Sequence, residues 1–317
     1  MNSCPNKFAS SNKITKYFIE KNCNPLLILG TWVFGGYNFG IYNQQDAVET
    51  LEFAYKNSIR TYDIATFYAK GNSNTVLEKY LKRKCRNEYI LCAKAGLKWK
   101  KNSVVYDGSE KNINLEIEML LNKFKTNYID VYLLHWPDPN IKLTHSLNAL
   151  EKLKKEKKVK FIGICNINSS HLIELDKFDI DTIHIHNNVL KNNIQKNLIK
   201  SIKKKYHTTI FSIFENGILV NPKYMNIEAI GKKDIRRKNP IHKNTHQKEK
   251  LKKLFSKESA EYSPADCILT WTLNTLNFDT IIIGPKNISQ IKSIKNIVNN
   301  TFENIKKTEF YNYLNTF

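Results

Sequence analysis

Thr61-Tyr62-Asp63-Ile64-Ala65-Thr66-Phe67-Tyr68-Ala69-Lys70-Gly71 places a carboxylate and a phenol five residues apart, where an apolar segment gives way to a loop of small residues. Read as a strand ending in Asp63 and running into a loop that carries Tyr68, the stretch sets two proton-handling groups at one edge of a sheet. Asp and Tyr also stand at strand ends for capping and packing, so the stretch decides little until other strands bring ionisable groups to the same edge. They do. Tyr89-Ile90-Leu91-Cys92-Ala93 is a second apolar run and ends at Lys94; Val131-Tyr132-Leu133-Leu134 is a third and ends at His135, with Pro137 and Pro139 forcing a loop beyond it.

The alternation extends both ways. Pro25-Leu26-Leu27-Ile28-Leu29-Gly30 reads as a buried strand, and 45–56 as a helix. Ser73 is positioned to cap a helix carrying Val76, Leu77, Tyr80 and Leu81. Ile113, Ile117, Leu120, Leu121 and Phe124 recur at i, i+4, i+7, i+8 and i+11, an amphipathic helix. Leu147, Leu150 and Leu153 stripe another, before a strand over Phe161-Ile162-Gly163-Ile164 that ends at Cys165 and Asn166. A helix from about Ser169 leads to Thr182-Ile183-His184-Ile185, and one over about 194–205 to Thr209-Ile210-Phe211-Ser212. A long basic connection (217–247) and a helix over about 263–275 precede Thr280-Ile281-Ile282-Ile283. Eight short apolar strands alternating with helices imply a parallel sheet covered by helices. At this length they favour a closed (β/α)8 TIM barrel of the α/β class, one domain over 1–317. A polar leader (1–24) and an Asn/Lys-rich helical tail (about 299–317) read as peripheral. Gly35-Gly36 and Gly40 have the wrong spacing for a GxGxxG phosphate turn.

Composition bounds the class. No run approaches the roughly 18–20 apolar residues of a membrane span, and the first residues lack the apolar core of a secretory signal. Six scattered cysteines without a CxxC pair read as a reducing, cytoplasmic setting. The formal charge of +21 raises nucleic-acid or anionic-membrane binding as a rival function. A bias towards Lys, Asn and Ile throughout the chain accounts for it better, with a local peak at 232–257, where 11 Lys or Arg meet 2 acidic residues.

In a barrel of this kind the active site lies at the C-terminal ends of the strands, where Asp63, Lys94, His135 and Tyr68 converge. A phenol with a pKa of about 10 is a weak acid at neutrality; a neighbouring ammonium is expected to lower it, with a carboxylate holding the ammonium in place. A His beside them can hydrogen-bond a carbonyl. Together they can protonate an oxygen while its carbon is attacked, an effect worth roughly 10²–10⁴ in rate. The bland alternative is a structural ion pair and a satisfied core histidine.

These four residues resemble the catalytic tetrad of the aldo-keto reductase superfamily. The flanking words agree in order: Leu29-Gly30-Thr31-Trp32, Ala93-Lys94-Ala95-Gly96, Leu133-Leu134-His135-Trp136-Pro137, Asp234-Ile235-Arg236-Arg237-Lys238-Asn239-Pro240 and Ile283-Gly284-Pro285-Lys286. The match spans about residues 26–298. It implies a reductase that lays NADPH across the barrel rim, with NADH possible, and passes hydride to a small aldehyde or ketone. Tyr68 is then the general acid, assisted by Lys94 and Asp63, and His135 orients the carbonyl. By the same resemblance Asn166 and His184 fall at the nicotinamide carboxamide, Phe211 stacks on the ring, and Thr31 and Trp32 stand beside it. Ser212, Gly217, Leu219 and Arg236 follow along the cofactor under a covering loop at 217–247, and Gly284, Lys286, Asn287 and Gln290 fall at the adenosine end.

Several positions depart from the family. Cys165 stands for a Ser, His184 for the carboxamide-binding Gln, Phe211 for the stacking Tyr, Gln290 for a helical Arg and Ile294 for an adenine-contacting Asn. These bear on cofactor affinity and on NADPH against NADH, not on the proton chemistry. His184 and His186 share one side of a strand, as a metal pair would, but no third ligand stands out, so no metal is expected. A second reading is a cofactor-binding regulatory subunit, since the same barrel serves as the β-subunit of potassium channels. Monomer or small homo-oligomer, without nucleic-acid or membrane partners, completes the expectation.

Overall fold

The computed structural model describes residues 12–37, 39–40, 42–101, 103–300 and 303–317. The first eleven residues of the leader, with Cys4, and single positions of the 34–44 and 99–110 loops lie outside them. Eight parallel strands close into a barrel: β1 (Leu27–Gly30), β2 (Thr61–Ala65), β3 (Ile90–Ala95), β4 (Ile129–Leu134), β5 (Val159–Cys165), β6 (Thr182–His186), β7 (His207–Phe211) and β8 (Thr280–Ile283), each paired with its sequence neighbours and β8 with β1. Strand side chains alternate between faces. Cys92, Val131, Leu133 and Cys165 pack together in the interior, while Tyr132 faces the helices and gives its hydroxyl to the Ile113 carbonyl (3.1 Å). The helix over Glu110–Phe124 buries Ile113, Ile117, Leu120, Leu121 and Phe124, the stripe its periodicity predicts.

The period of two also explains where the expected strand ends were short. Asp63 and Lys94 face inward, so they sit within the ladder rather than at its end: Asp63 pairs with Cys92, and Ala65 with Lys94. The helix after β2 begins at Asn72 behind Gly71, at φ +87°, rather than at Ser73, which is buried and donates to the Trp32 carbonyl (3.3 Å).

Close approach requires glycine at Gly163 on β5. A Cβ there would lie 2.2 Å from the Thr182 carbonyl oxygen and 2.5 Å from Leu133 Cδ2. Since the obstacle includes backbone, Gly163→Ala is expected to lower stability by about 1–3 kcal/mol, seen as a lower urea midpoint with an unchanged slope.

The described parts of the leader and the tail are not peripheral. Lys13–Glu20 is a helix capped by Asn12. It closes the N-terminal end of the barrel, packing Ile14 and Phe18 against Ile28 and Ile90. Tyr17 donates to Asp130 (2.5 Å), and Lys13 pairs with Asp181. At the other terminus, helices Glu303–Lys306 and Glu309–Leu314 bury Ile305, Phe310 and Leu314. Two further elements had no sequence signal strong enough to place them: an antiparallel hairpin (Leu97–Lys100 with Ser103–Tyr106) and the helix Thr245–Phe255. No helix among the described residues is long and apolar enough to cross a membrane.

Candidate active site

Asp63, Tyr68, Lys94 and His135 meet at the C-terminal mouth of the barrel and are all buried. The Lys94 ammonium bonds the Asp63 carboxylate and donates to the Tyr68 hydroxyl (3.0 Å), which itself lies 3.2 Å from Asp63. Lys94 thus bridges the acid and the phenol. Tyr68 is delivered by an abrupt turn: Ala69, Lys70 and Gly71 all have positive φ (49°, 54° and 87°), a conformation that costs non-glycine residues about 1 kcal/mol or more and gathers at functional sites. The Trp32 indole lies parallel to the phenol at 5.3 Å and 1°, and the His135 ring stands edge-on to it at 6.0 Å.

The electrostatics correct one expectation. Burial, and then the Asp63 carboxylate, push the Tyr68 phenol above its ordinary value and outweigh the lowering by Lys94. The phenol is neutral and keeps its proton. Burial opposes the charge on Lys94, but Asp63 and then Tyr68 overcome it and hold the ammonium above its ordinary value. Burial, followed by the nearby Lys94 charge, drives His135 well below the usual imidazole range, so its ring is neutral and offers one N–H donor.

A cavity of about 700 Å³ runs from this floor towards the helix Ile288–Asn299. Trp32, Phe211, Ser212, Gly217 and Arg236 line it, as do Gly284, Lys286 and Gln290 at the far arm. Asn166 and Ser212 end β5 and β7 in the left-handed region (φ 59° and 60°), and Asn166 donates to the His135 carbonyl (2.9 Å). Thr31, Asn166, Leu219 and Asn287 stand behind the wall. Thr31 donates to the Asp63 carbonyl (2.8 Å), Leu219 is core, and Asn287 caps its helix by accepting from Gln290 N–H (3.0 Å).

The 217–247 connection is a chain of short 3₁₀ turns folded back across the cavity. Arg236 is buried against Asp234, with its guanidinium 3.8 Å from the centre of the Tyr224 ring. Arg237 instead braces the connection, donating to the carbonyls of Ile227 (2.6 Å) and Ile230 (2.8 Å). The Lys286 ammonium donates to the Phe39 carbonyl (2.7 Å) on the β1 loop. A Cβ at Gly40 would lie 2.6 Å from Arg236 and 3.3 Å from Lys286, at φ +76°, so glycine admits both cations beside that loop.

The whole of residues 26–310 matches the model of the aldo/keto reductase family. The chain belongs to this family. Among curated relatives, Aldo-keto reductase YhdN of Bacillus subtilis is 25% identical over 280 residues, covering 85% of this chain and 83% of that one. The putative voltage-gated potassium channel subunit beta of Schizosaccharomyces pombe is 24% identical over 90% of this chain and 85% of its own. The glycerol dehydrogenase of Gluconobacter oxydans shares the fold with a TM-score of 0.73, at 24% identity and with 92% and 91% of the two chains covered. This aldo/keto reductase is an NAD(P)H-dependent oxidoreductase of the class that acts on aldehydes and ketones.

Within the family frame, the substituted positions sort by depth. Cys165 lines the cavity beside the tetrad, where burial pushes its thiol up to about 12; it is a packing residue rather than a nucleophile. Phe211 lines the cavity. His184 does not: it is buried below the floor, with Nδ1 lacking a hydrogen-bond partner. Its oxygen- and sulfur-bearing neighbours Asp63 and Cys92 lie within 4.8 Å, but Lys94 already bonds Asp63. His186, one strand period higher, lines the wall instead, stacked on Phe211 (5.5 Å, 25°). The residue behind it, Glu215, was not foreseen. It bonds His186 (2.8 Å) and accepts from Asn188 and from Asn239 (2.7 Å), tying β6 to the far end of the covering loop. The sequence signal was the two-residue spacing of the histidines, which puts both inside and the later one nearer the mouth.

Proposed function

We propose that this protein reduces the carbonyl of a small aldehyde or ketone with hydride from NADPH, with Tyr68 as general acid. The observation that carries the reading is Lys94 bridging Asp63 and Tyr68 on the floor of one continuous cavity. The residues present suit a dinucleotide: an aromatic pair, Phe211 and His186, near the tetrad, and two cations, Arg236 and Lys286, at the far arm. The bound nicotinamide supplies the hydride. Tyr68 donates its O–H to the carbonyl oxygen, and His135 offers a second donor to the same atom. As the phenol gives up its proton, the charge it acquires is met by Lys94, which Asp63 holds in place. Because the ground-state phenol is neutral, that attraction appears only as the proton leaves, which makes it transition-state stabilisation rather than uniform binding.

Lys286 supports NADPH, and NADH is the alternative donor. The preference is read by comparing loss of absorbance of the two reduced cofactors with an activated aromatic aldehyde. Oxidation of NADPH at a kcat/KM at least tenfold above NADH is the expected result, and the reverse ratio would assign NADH. The second reading is a regulatory, cofactor-binding subunit with little turnover, motivated by the resemblance to a potassium channel β-subunit. Tight dinucleotide binding without oxidation by any carbonyl would move it ahead. We further place the protein in the cytoplasm as a monomer or small homo-oligomer, without a nucleic-acid or membrane partner.

A further inference from the structure

Glu116, on the helix behind β3, is 3% exposed. Among the described residues it has no cation in an ion pair. Its Oε1 accepts from the Gly96 N–H (2.9 Å) and from Asn112 Nδ2 (2.7 Å), and its Oε2 accepts from the Thr66 hydroxyl. Thr66 lies two residues before Tyr68, and Gly96 lies two residues after Lys94. One carboxylate therefore joins the loop that delivers the phenol to the strand end that delivers the ammonium. Trp99 adds a second tie between the same segments, donating to the Phe67 carbonyl (2.8 Å). On the other side, Asn112 also donates to the Asp107 carbonyl (2.9 Å) and fixes the far end of the hairpin.

We propose that Glu116 is a positioning residue that sets the alignment of Tyr68 on Lys94 for proton transfer. The proposal rests on the reading of Tyr68 as general acid. A carboxylate buried without a cation is an expensive way to satisfy three donors; an amide or a water would serve a merely structural joint. Two features make Glu116 a tunable one. Burial, with the Asp107 charge adding to it, raises its pKa to about 7. Protonation also reverses one of its bonds: a carboxylic acid can donate to Thr66, whereas the carboxylate only accepts. The ionisable groups facing it are Asp107, itself paired with Lys98, and Tyr132 of β4. An ionisation of turnover near pH 7 that belongs to Glu116 is the one Glu116→Gln removes.

The test compares Glu116→Ala and Glu116→Gln with the wild type. Loss of the joint in Glu116→Ala is expected to lower kcat about tenfold or more, since displacing a reacting group by about 1 Å costs up to 10²-fold, with cofactor Kd within twofold. Glu116→Gln keeps an acceptor for Gly96 and a donor for Thr66. It is expected to retain kcat within about threefold, in a profile that lacks the inflection near pH 7. Independently of turnover, amide exchange at Phe67–Lys70 should speed up at least tenfold in Glu116→Ala and not in Glu116→Gln. The inference is overturned if Glu116→Ala keeps wild-type kcat and exchange, or if the inflection persists in Glu116→Gln. Retained turnover in Tyr68→Phe would instead remove the general-acid reading, and the exchange measurement would still decide whether Glu116 joins the two segments.

Discussion

Tyr68→Phe is expected to lower kcat for carbonyl reduction by about 10²–10⁴-fold, the range for removing one general acid, while leaving dinucleotide Kd within about twofold. The substitution removes one hydroxyl from a buried ring and nothing else. Trp32 keeps its parallel neighbour, and Lys94 keeps its bond to Asp63, so no buried charge is stranded. Single-turnover measurements at saturating cofactor check it: slow hydride transfer with unchanged binding is the expected pattern. Full activity in the phenylalanine variant would move the acid elsewhere, with His135 the next group in the floor.

Lys94→Met should have a second effect that Tyr68→Phe lacks. The methionine fills a similar volume but leaves Asp63 buried with no cation, and breaking one partner out of a buried pair costs about 3–5 kcal/mol. Turnover should fall at least as far as in Tyr68→Phe, and the urea midpoint should fall with it. The pH dependence gives the sign. Burial already raises the Asp63 carboxyl above its ordinary value against the lowering by Lys94, and without the ammonium nothing cationic opposes the rise. A carboxyl raised in this way contributes stability below the unfolded pKa and loses it as pH rises through the folded one. Lys94→Met should therefore be least stable in alkali and recover part of its deficit towards pH 4–5. Adding Asp63→Asn should restore most of the stability without restoring activity. A single variant as stable as the wild type at pH 8 would show that the pair is not electrostatically coupled.

The sequence was most informative where one residue type had one physical reason to stand where it does. Eight short apolar runs alternating with helical stripes pointed to the barrel. Asp63, Lys94 and His135 near the ends of three of them had a bland reading as well, and it was the flanking words that tied them to the family's tetrad. What escaped depended on contacts distant in sequence. Ile14, Tyr17 and Phe18 recur at i, i+3 and i+4, but two turns are too short to place by pattern alone; they close the barrel because Ile28 and Ile90 await them. Phenol and ammonium adjacency argued for a lowered Tyr68, but depth of burial decided the direction, and depth is not written in spacing. His184 was placed by analogy with a Gln; the pleat puts it one layer too deep and presents His186 instead. Glu116 looked like one more polar residue on a helix until the fold set two loops against it.

The helix over Lys13–Glu20 also gives the molecule a practical orientation. It sits at the end of the barrel opposite the mouth, held by Tyr17 on Asp130 and Lys13 on Asp181. A fusion partner or a solid support attached through the segment ahead of Asn12 joins the protein on that far side. Immobilisation this way leaves the mouth facing the medium, whereas random amine coupling through the 45 Lys side chains would also attach molecules by their mouths. The same division lets the closed end be redesigned for heat tolerance without touching the chemistry.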